Sequence, residues 1–223
     1  MLLEFKLHVM NLPVREFSVR EQISENQSSS LESIEKECWN MLQEGAMKGK
    51  SPLHTFVLGT KGNDGIELRT LVLRKAEKSN LSLFTHTDVR SPKAMQIGEN
   101  SGCSLLFYDP IRRIQLRLYA EALLHLRTEN SARFWKEANM SSRKSYLSKR
   151  APGEKLSMPD DGLPDHLSGK DPLPQESESG ISNFLVIEFK IHSIDWLLLN
   201  SRGHRRAKIS YDGDGFDASW INP

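Results

Sequence analysis

The chain has 223 residues, a formal net charge of +1, 38% hydrophobic and 26% charged residues, and two cysteines. That length suffices for one large domain or two small ones with a sizeable core. The near-zero charge excludes a broad basic field for nucleic acid or an anionic membrane, so any anion binding must be local.

The N-terminal "MLLEFKLHVMNLPVREF" is broken by Glu4, Lys6 and His8 and lacks the apolar core of a signal peptide. No run reaches the ~18 apolar residues of a membrane helix, so no membrane partner is expected and the cytoplasm is the default. Cys38 falls on a helical stripe and Cys103 in a strand pattern, both as small buried apolar residues. No CxxC or Cys/His cluster occurs and the histidines are scattered, so no metal is expected.

Residues 1–27 read as an extended arm. A helix near 30–45 follows in "SSSLESIEKECWNMLQEG", with Leu31, Ile34, Cys38, Met41 and Leu42 on one stripe. Ser29 and Glu32 have capping-box spacing, Gly45 suits a stop, and Trp39 lies just off the stripe as a packing residue. From residue 53 the period changes. "LHTFVLGT", the turn "KGNDG" and "IELRTLVLRKA" form a hairpin, and "NLSLFTHT" is a third strand. "RSPKAMQIGEN" is a short helix; "GCSLLFYD" and "RIQLRLYAEALLHL" are two strands around "DPIRR". "NSARFWKEAN" and "SSRKSYLSK" read as short helices.

Residues 149–180 carry five of the chain's ten prolines and few aromatic or β-branched residues, which marks a long loop or a locally disordered segment. It is either a lid or an insertion. "FLVIEFKIHSIDWLLL" is then a strand pair or one bent strand, and "HRRAKISYDGDGFDASWINP" adds two strands around "DGDG". Strands joined by short turns, with few helices between, predict a mainly β, α+β fold: an antiparallel sheet or barrel with peripheral helices.

"LRTLVLR … FTHTDVRSPKA" concentrates anion-binding groups. Arg69 and Arg74 fall on opposite faces of a strand, which alone is equally well two solvated strand ends. The next turn adds the hydroxyls of Thr85, Thr87 and Ser91 and the cations of Arg90 and Lys93. Asp88 suits a cap, and Pro92 takes the first position of a helix whose N-terminal N–H groups are free. Together these suit a phosphate-bearing ligand. No Gly-rich P-loop or dinucleotide fingerprint is present. His86 is either a ligand contact or a structural hydrogen-bonder.

"RTLVLR", "LFTHTDVRSPKA", "RIQLRLYAEA" and "DWLLLNSRGHRRAKI" resemble, in order, the motifs of the pyridoxamine 5'-phosphate oxidase family. The likeness covers most of 53–147 and 184–223. It implies an FMN-binding split β-barrel, one domain over 1–223, whose segment 184–223 carries flavin and substrate contacts. It further implies a homodimer with flavin at the interface, and a small-molecule substrate such as a B6 vitamer phosphate. Arg69 and Lys93 would hold the FMN phosphate, with Thr87, Ser91, Arg90 and His86 around it. The backbone of Thr70, Leu71, Val72 and Leu73 would run beside the flavin. Arg74 stands where the family has lysine near the ring. Gln115 would bond the ring edge, and Trp196 and Arg206 would reach the cofactor. Arg202 and His204 would be the catalytic residues facing the substrate. The family's substrate-phosphate clamp is a Tyr, an Arg and a Ser after the fifth strand. Here Phe134 or Trp135 falls near the Tyr position, and Arg143 and Ser145 supply the rest only with an insertion. The implied activity passes hydride from substrate to FMN and then to oxygen. An FMN-dependent NAD(P)H reductase and a non-catalytic flavin-binding protein remain alternatives.

Overall fold

The computed structural model describes residues 30–213 and 215–223, and residues 31–223 make one compact unit. The arm expected over 1–27 and Ser29 of the expected capping box lie outside the described residues.

Helix α1 (Leu31–Met47) buries Ile34, Cys38, Met41 and Leu42, the stripe its spacing requires, and Trp39 beside it. The Trp39 indole donates to the Tyr211 hydroxyl at 2.7 Å. Gly45 does not end this helix. A Cβ there would come within 2.6 Å of the Leu53 carbonyl oxygen. The bare glycine lets the turn Pro52–His54 lie directly on the helix, where His54 Nδ1 donates to the Gly45 carbonyl at 2.8 Å.

Among the described residues nine strands follow: β1 (Thr55–Lys61), β2 (Ile66–Val72), β3 (Lys75–Glu77), β4 (Ser82–Asp88), β5 (Gly102–Asp109), β6 (Ile114–His125), β7 (Phe184–Leu198), β8 (Arg205–Asp212) and β9 (Gly215–Ile221). Every pairing is antiparallel. The order is β2-β1-β5-β6-β7-β4-β3, with β8 on β7 and β9 on β8. The first half of β7 pairs with β4 and the second with β8, while β6 runs along its other edge. β7 is thus one bent strand, not a strand pair. The β6–β7 register slips between Tyr119 and Ala120, leaving His192 without an opposite residue. A bulge there bends the strand and increases twist. The sheet curls into a half-barrel: the antiparallel, mainly β split-barrel fold with peripheral helices.

"IELRTLVLRKA" is broken, contrary to the expected single strand. β2 leaves β1 at Val72. The Leu73 amide then donates to the His54 carbonyl and the Arg74 amide to the Phe84 carbonyl, each at 2.8 Å. The chain changes partner there, so Arg74 sits in a gap between strands rather than on one.

Alternation along β5 and β6 sends Leu105, Phe107, Leu116 and Leu118 inward, where they meet Phe56, Phe189 and the α1 stripe in the main core. A second, smaller core joins Phe84, Phe184 and Val186 to Phe134, Trp135 and Tyr146. The last three come from α2 (Pro92–Glu99)'s successors, α3 (Glu129–Glu137) and the turn after α4 (Met140–Lys144). Residues 149–180 carry only short turns and α5 (Pro174–Ser177), yet Leu167, Ser177 and Gly180 are buried.

Candidate functional site

Two sites share strand β4, one on each face. Thr87 points toward the main core side, against Leu185 of β7, and His86 toward the small aromatic core, against Val186.

On the Thr87 side lies a cluster of cations and hydroxyls at the start of α2. Ser91 is the N-cap and Pro92 the first helical residue. Lys93 Nζ donates to the Thr87 hydroxyl at 3.0 Å, and the Thr87 and Ser91 hydroxyls are 3.3 Å apart. Arg69 reaches over from β2 and donates to the Gln96 side-chain amide oxygen Oε1 at 3.0 Å, to the Thr60 hydroxyl, and to the Glu67 carboxylate at 3.1 Å. The Thr60 hydroxyl in turn donates to Gln96 at 2.7 Å. Burial pushes the Lys93 ammonium below its ordinary pKa, and the nearby Arg69 charge pushes it the same way, against an opposing pull from Asp88. Two cations held together in part-buried surroundings, with hydroxyls beside them, are a donor set that can accept an anion. Thr60 and Gln96 were missed in the sequence; Gln96, three residues beyond Lys93 on a helix, was the available signal.

Arg90 lies outside this cluster. Its guanidinium grips Asp88 with bonds of 3.0 and 2.6 Å and donates to the Ser148 carbonyl at 3.0 Å. It fastens the start of the 149–180 segment to the turn after β4 instead of serving the anion.

His86 is removed from the cluster by strand alternation. Its ring meets Phe134 and Phe184 edge-on at 5.2 and 4.8 Å. Its Nε2 is buried without a hydrogen-bond partner. Burial first, and then the Arg74 charge, lower its pKa from 6.5 to about 3, so the ring is neutral. His86 and Arg74 line a cleft of about 310 Å³ with Lys75, Phe134, Glu137, Ala138, Asn139 and Ser142.

The expected clamp partners are not at this cleft. Arg143 is buried and stacks over the Trp135 ring at 4.7 Å. It donates to the Trp135 carbonyl, the Ser177 hydroxyl and Glu178 at 3.0, 3.2 and 2.7 Å. It is a tie for the 149–180 segment. Trp135 is buried and Ser145 turns back to the Ser142 carbonyl; only Phe134 of that set lines the cleft.

The remaining expected residues are dispersed. In β2, Thr70 is exposed, Leu71 packs on the main core, and the Val72 carbonyl accepts from the Thr85 hydroxyl at 2.8 Å. Gln115 and Arg206 share the outer face of the sheet, in one row with Leu197. Arg206 donates to Asp195 at 3.0 and 2.8 Å, and Arg117 does so at 2.5 Å. Burial would raise the Asp195 pKa, but the hydrogen bonds from Arg206 and Arg117 outweigh it and hold the carboxyl below its ordinary value. Trp196, opposite Leu116 and Ala207, faces the core and not that outer surface, with its indole nitrogen buried and unpartnered. Arg202 and His204 lie in the exposed turn between β7 and β8, where His204 Nδ1 accepts from the Asn200 amide at 3.1 Å. Neither lines the cleft.

Residues 36–125 match the family model for the pyridoxamine 5'-phosphate oxidase, FMN-binding domain. No curated protein matches the chain. A pyridoxamine 5'-phosphate oxidase-related, FMN-binding protein of Nostoc punctiforme PCC 73102 has the same fold. Its TM-score is 0.65 at 20% identity, covering 84% of this chain and 97% of that one. PhzG of Burkholderia lata 383, solved in complex with tetrahydrophenazine-1-carboxylic acid, gives 0.62 at 17% identity over 89% and 95%. The oxidase-like segment contains Arg69, Arg74, His86, Lys93 and Gln115, whereas the far wall of the cleft, from Phe134 to Ser142, lies beyond it. No helix among the described residues is long and apolar enough to cross a membrane.

Proposed function

We propose that the protein is an FMN-dependent oxidoreductase acting on a small organic molecule. The observation that carries this reading is the Arg69–Lys93 pair at the N-terminus of α2, two mutually repelling cations beside the Thr87 and Ser91 hydroxyls. This donor set fits a phosphate monoester, which brings close to two negative charges and three acceptor oxygens. Arg69 and Lys93 would hold the FMN phosphate, with Thr87 and Ser91 completing the cradle. Bound FMN supplies a hydride acceptor that oxygen can reoxidise.

The chain's own residues bind and orient. The chain runs from Arg69 on β2 to Arg74 two residues past the end of that strand, so the segment that would anchor the phosphate also brings a guanidinium to the cleft. The outer face exposes Leu68 (69%), Tyr108 (45%) and Tyr119 (43%) near Gln115 and Arg206, an apolar surface that supports a homodimer. Arg202 and His204 are at the end of that same face, and their proposed substrate contact depends on the second copy. Two buried free thiols, Cys38 and Cys103, suit a reducing cytoplasm.

The test is the visible spectrum of the purified protein after incubation with FMN, followed by pyridoxamine 5'-phosphate without oxygen. A bound-flavin spectrum establishes the cofactor, and bleaching on addition extends the reading to B6 vitamers. Failure to retain FMN overturns it. Bleaching by NAD(P)H alone would make the protein a reductase.

A further inference from the structure

Arg69 stands on β2, an end strand of the sheet, where a long cation has few neighbours to hold it. The β1–β2 register sets Thr60 opposite Glu67 and Leu58 opposite Arg69, so Thr60, Glu67 and Arg69 lie on one face. Each terminal nitrogen of the guanidinium carries two hydrogens, and all four are taken. Nη1 donates to the Thr60 hydroxyl and to the Glu67 backbone carbonyl, the latter at 3.0 Å. Nη2 donates to Gln96 Oε1 at 3.0 Å and to the Glu67 carboxylate at 3.1 Å.

The side-chain acceptors are of two kinds. Thr60 and Gln96 are neutral and buried, at 1% and 6% exposure. They also fix each other: the Thr60 hydroxyl donates to Gln96 Oε1 at 2.7 Å, which leaves its lone pairs for Arg69. The Gln96 amide is locked in this orientation, because turned over it would set its NH2 against the guanidinium donors. The Glu67 carboxylate is charged and its side chain is 52% exposed, so its ion pair with Arg69 is a weak surface one.

A phosphate held by Lys93, Thr87 and Ser91 needs N–H groups of Arg69 as well. Taking them from Thr60 or Gln96 would break a hydrogen bond that water cannot replace in a buried place. Taking one from Glu67 releases a carboxylate into water. A monocarboxylate offers Arg69 no more than Glu67 already does, whereas a phosphate monoester brings close to two charges.

We propose that Thr60 and Gln96 are positioning residues that hold the Arg69 guanidinium in place, and that the Glu67 carboxylate is a built-in competitor which an incoming phosphate displaces from Nη2. The exchange stands on the hydrogen bonds of Arg69. That the phosphate is the one on FMN rests on the flavin reading above.

The experiment is equilibrium binding of FMN, by flavin fluorescence, and of inorganic phosphate, by calorimetry, to the full chain and its variants at low salt. Glu67→Gln should bind both about three- to fivefold more tightly, the size of a surface ion pair. Thr60→Val and Gln96→Met should each weaken both about fivefold, as loss of one hydrogen bond does. Thr60→Ser keeps the hydroxyl and should restore the wild-type affinity. In an Arg69→Ala background, Glu67→Gln, Thr60→Val and Gln96→Met should leave FMN affinity where Arg69→Ala alone puts it, because each acts through Arg69. If Gln96→Met does not fold, the contrast between Thr60→Val and Thr60→Ser carries the positioning test. Unchanged or weaker binding in Glu67→Gln, unchanged binding in Thr60→Val, or effects that persist without Arg69 overturn the proposal, while FMN uptake by the wild type would keep the flavin reading. Inorganic phosphate bound with this variant pattern by a protein that never takes up FMN would sustain the exchange and defeat the flavin reading. Binding of neither ligand defeats both.

Discussion

His86 and Thr87 are consecutive residues of β4, yet they serve opposite surroundings. Thr87 joins a net of hydroxyls, an amide and two cations at a helix N-terminus. His86 is packed between phenyl rings with an unpartnered nitrogen and a pKa near 3. The same strand supports both because successive side chains leave opposite faces. The Thr87 face keeps its groups polar by hydrogen-bonding them to one another. The His86 face keeps its imidazole neutral by desolvation, beside the charged Arg74, Lys75 and Glu137 of the cleft.

The sharpest way to break this contrast is on the packing side. Trp135→Ala removes a buried ring from the small core and should cost about 3–5 kcal/mol in urea denaturation. A loss below about 1 kcal/mol, the level of one surface hydrogen bond, would mean that this core is not packed. The next effect belongs to the cradle. Arg69→Ala/Lys93→Ala should weaken FMN about 100-fold or more, since two charge-assisted contacts are lost together. The thermal stabilisation by FMN should fall with it. Equal melting shifts in variant and wild type would remove the cradle from the cofactor site.

The two faces also differ in how they answer to pH. His86 has its folded pKa lowered from 6.5 to about 3. Between those values the unfolded chain binds a proton that the folded one refuses, so stability falls as pH drops through this window. His86→Phe should flatten that slope in melts between pH 6.5 and 4; an unchanged slope would assign it to other groups. Lys93 answers at the alkaline end. Its folded pKa lies below the ordinary 10.5, so the FMN-free protein should gain a little stability as pH rises toward 10.5. A bound phosphate favours the charged ammonium and should suppress that gain. Lys93→Met should lack it from the start, which melts from pH 8 to 10.5 would show.

Legibility in the sequence followed locality. The α1 stripe, the hairpins and the helix after Ser91 were readable because period and turn chemistry act over a few residues. Arg69, Thr87, Ser91 and Lys93 were readable as a group because their spacing puts them on two strand ends and one helix start. Gly45 was misread as a stop because its role depends on Leu53 approaching from outside the helix. Arg90 and Arg143 looked like ligand groups in the sequence. Each is instead engaged by protein acceptors, Asp88 and Ser148 for one, Glu178 and Ser177 for the other. Charge alone does not tell a structural tie from a binding residue.

By itself the sequence determined the antiparallel β character, the order of the strands along the chain and the polar turn at the start of α2, because alternation, turn residues and capping are short-range physics. Only the tertiary structure decided what Arg74, His86 and Trp196 face. Arg74 lies where the chain changes partner between β1 and β4. His86 is divided from Thr87 by the sheet, and Trp196 is turned inward by the β6–β8 register. Those outcomes depend on pairings between residues far apart in the chain, and a pattern within a few residues carries no record of them.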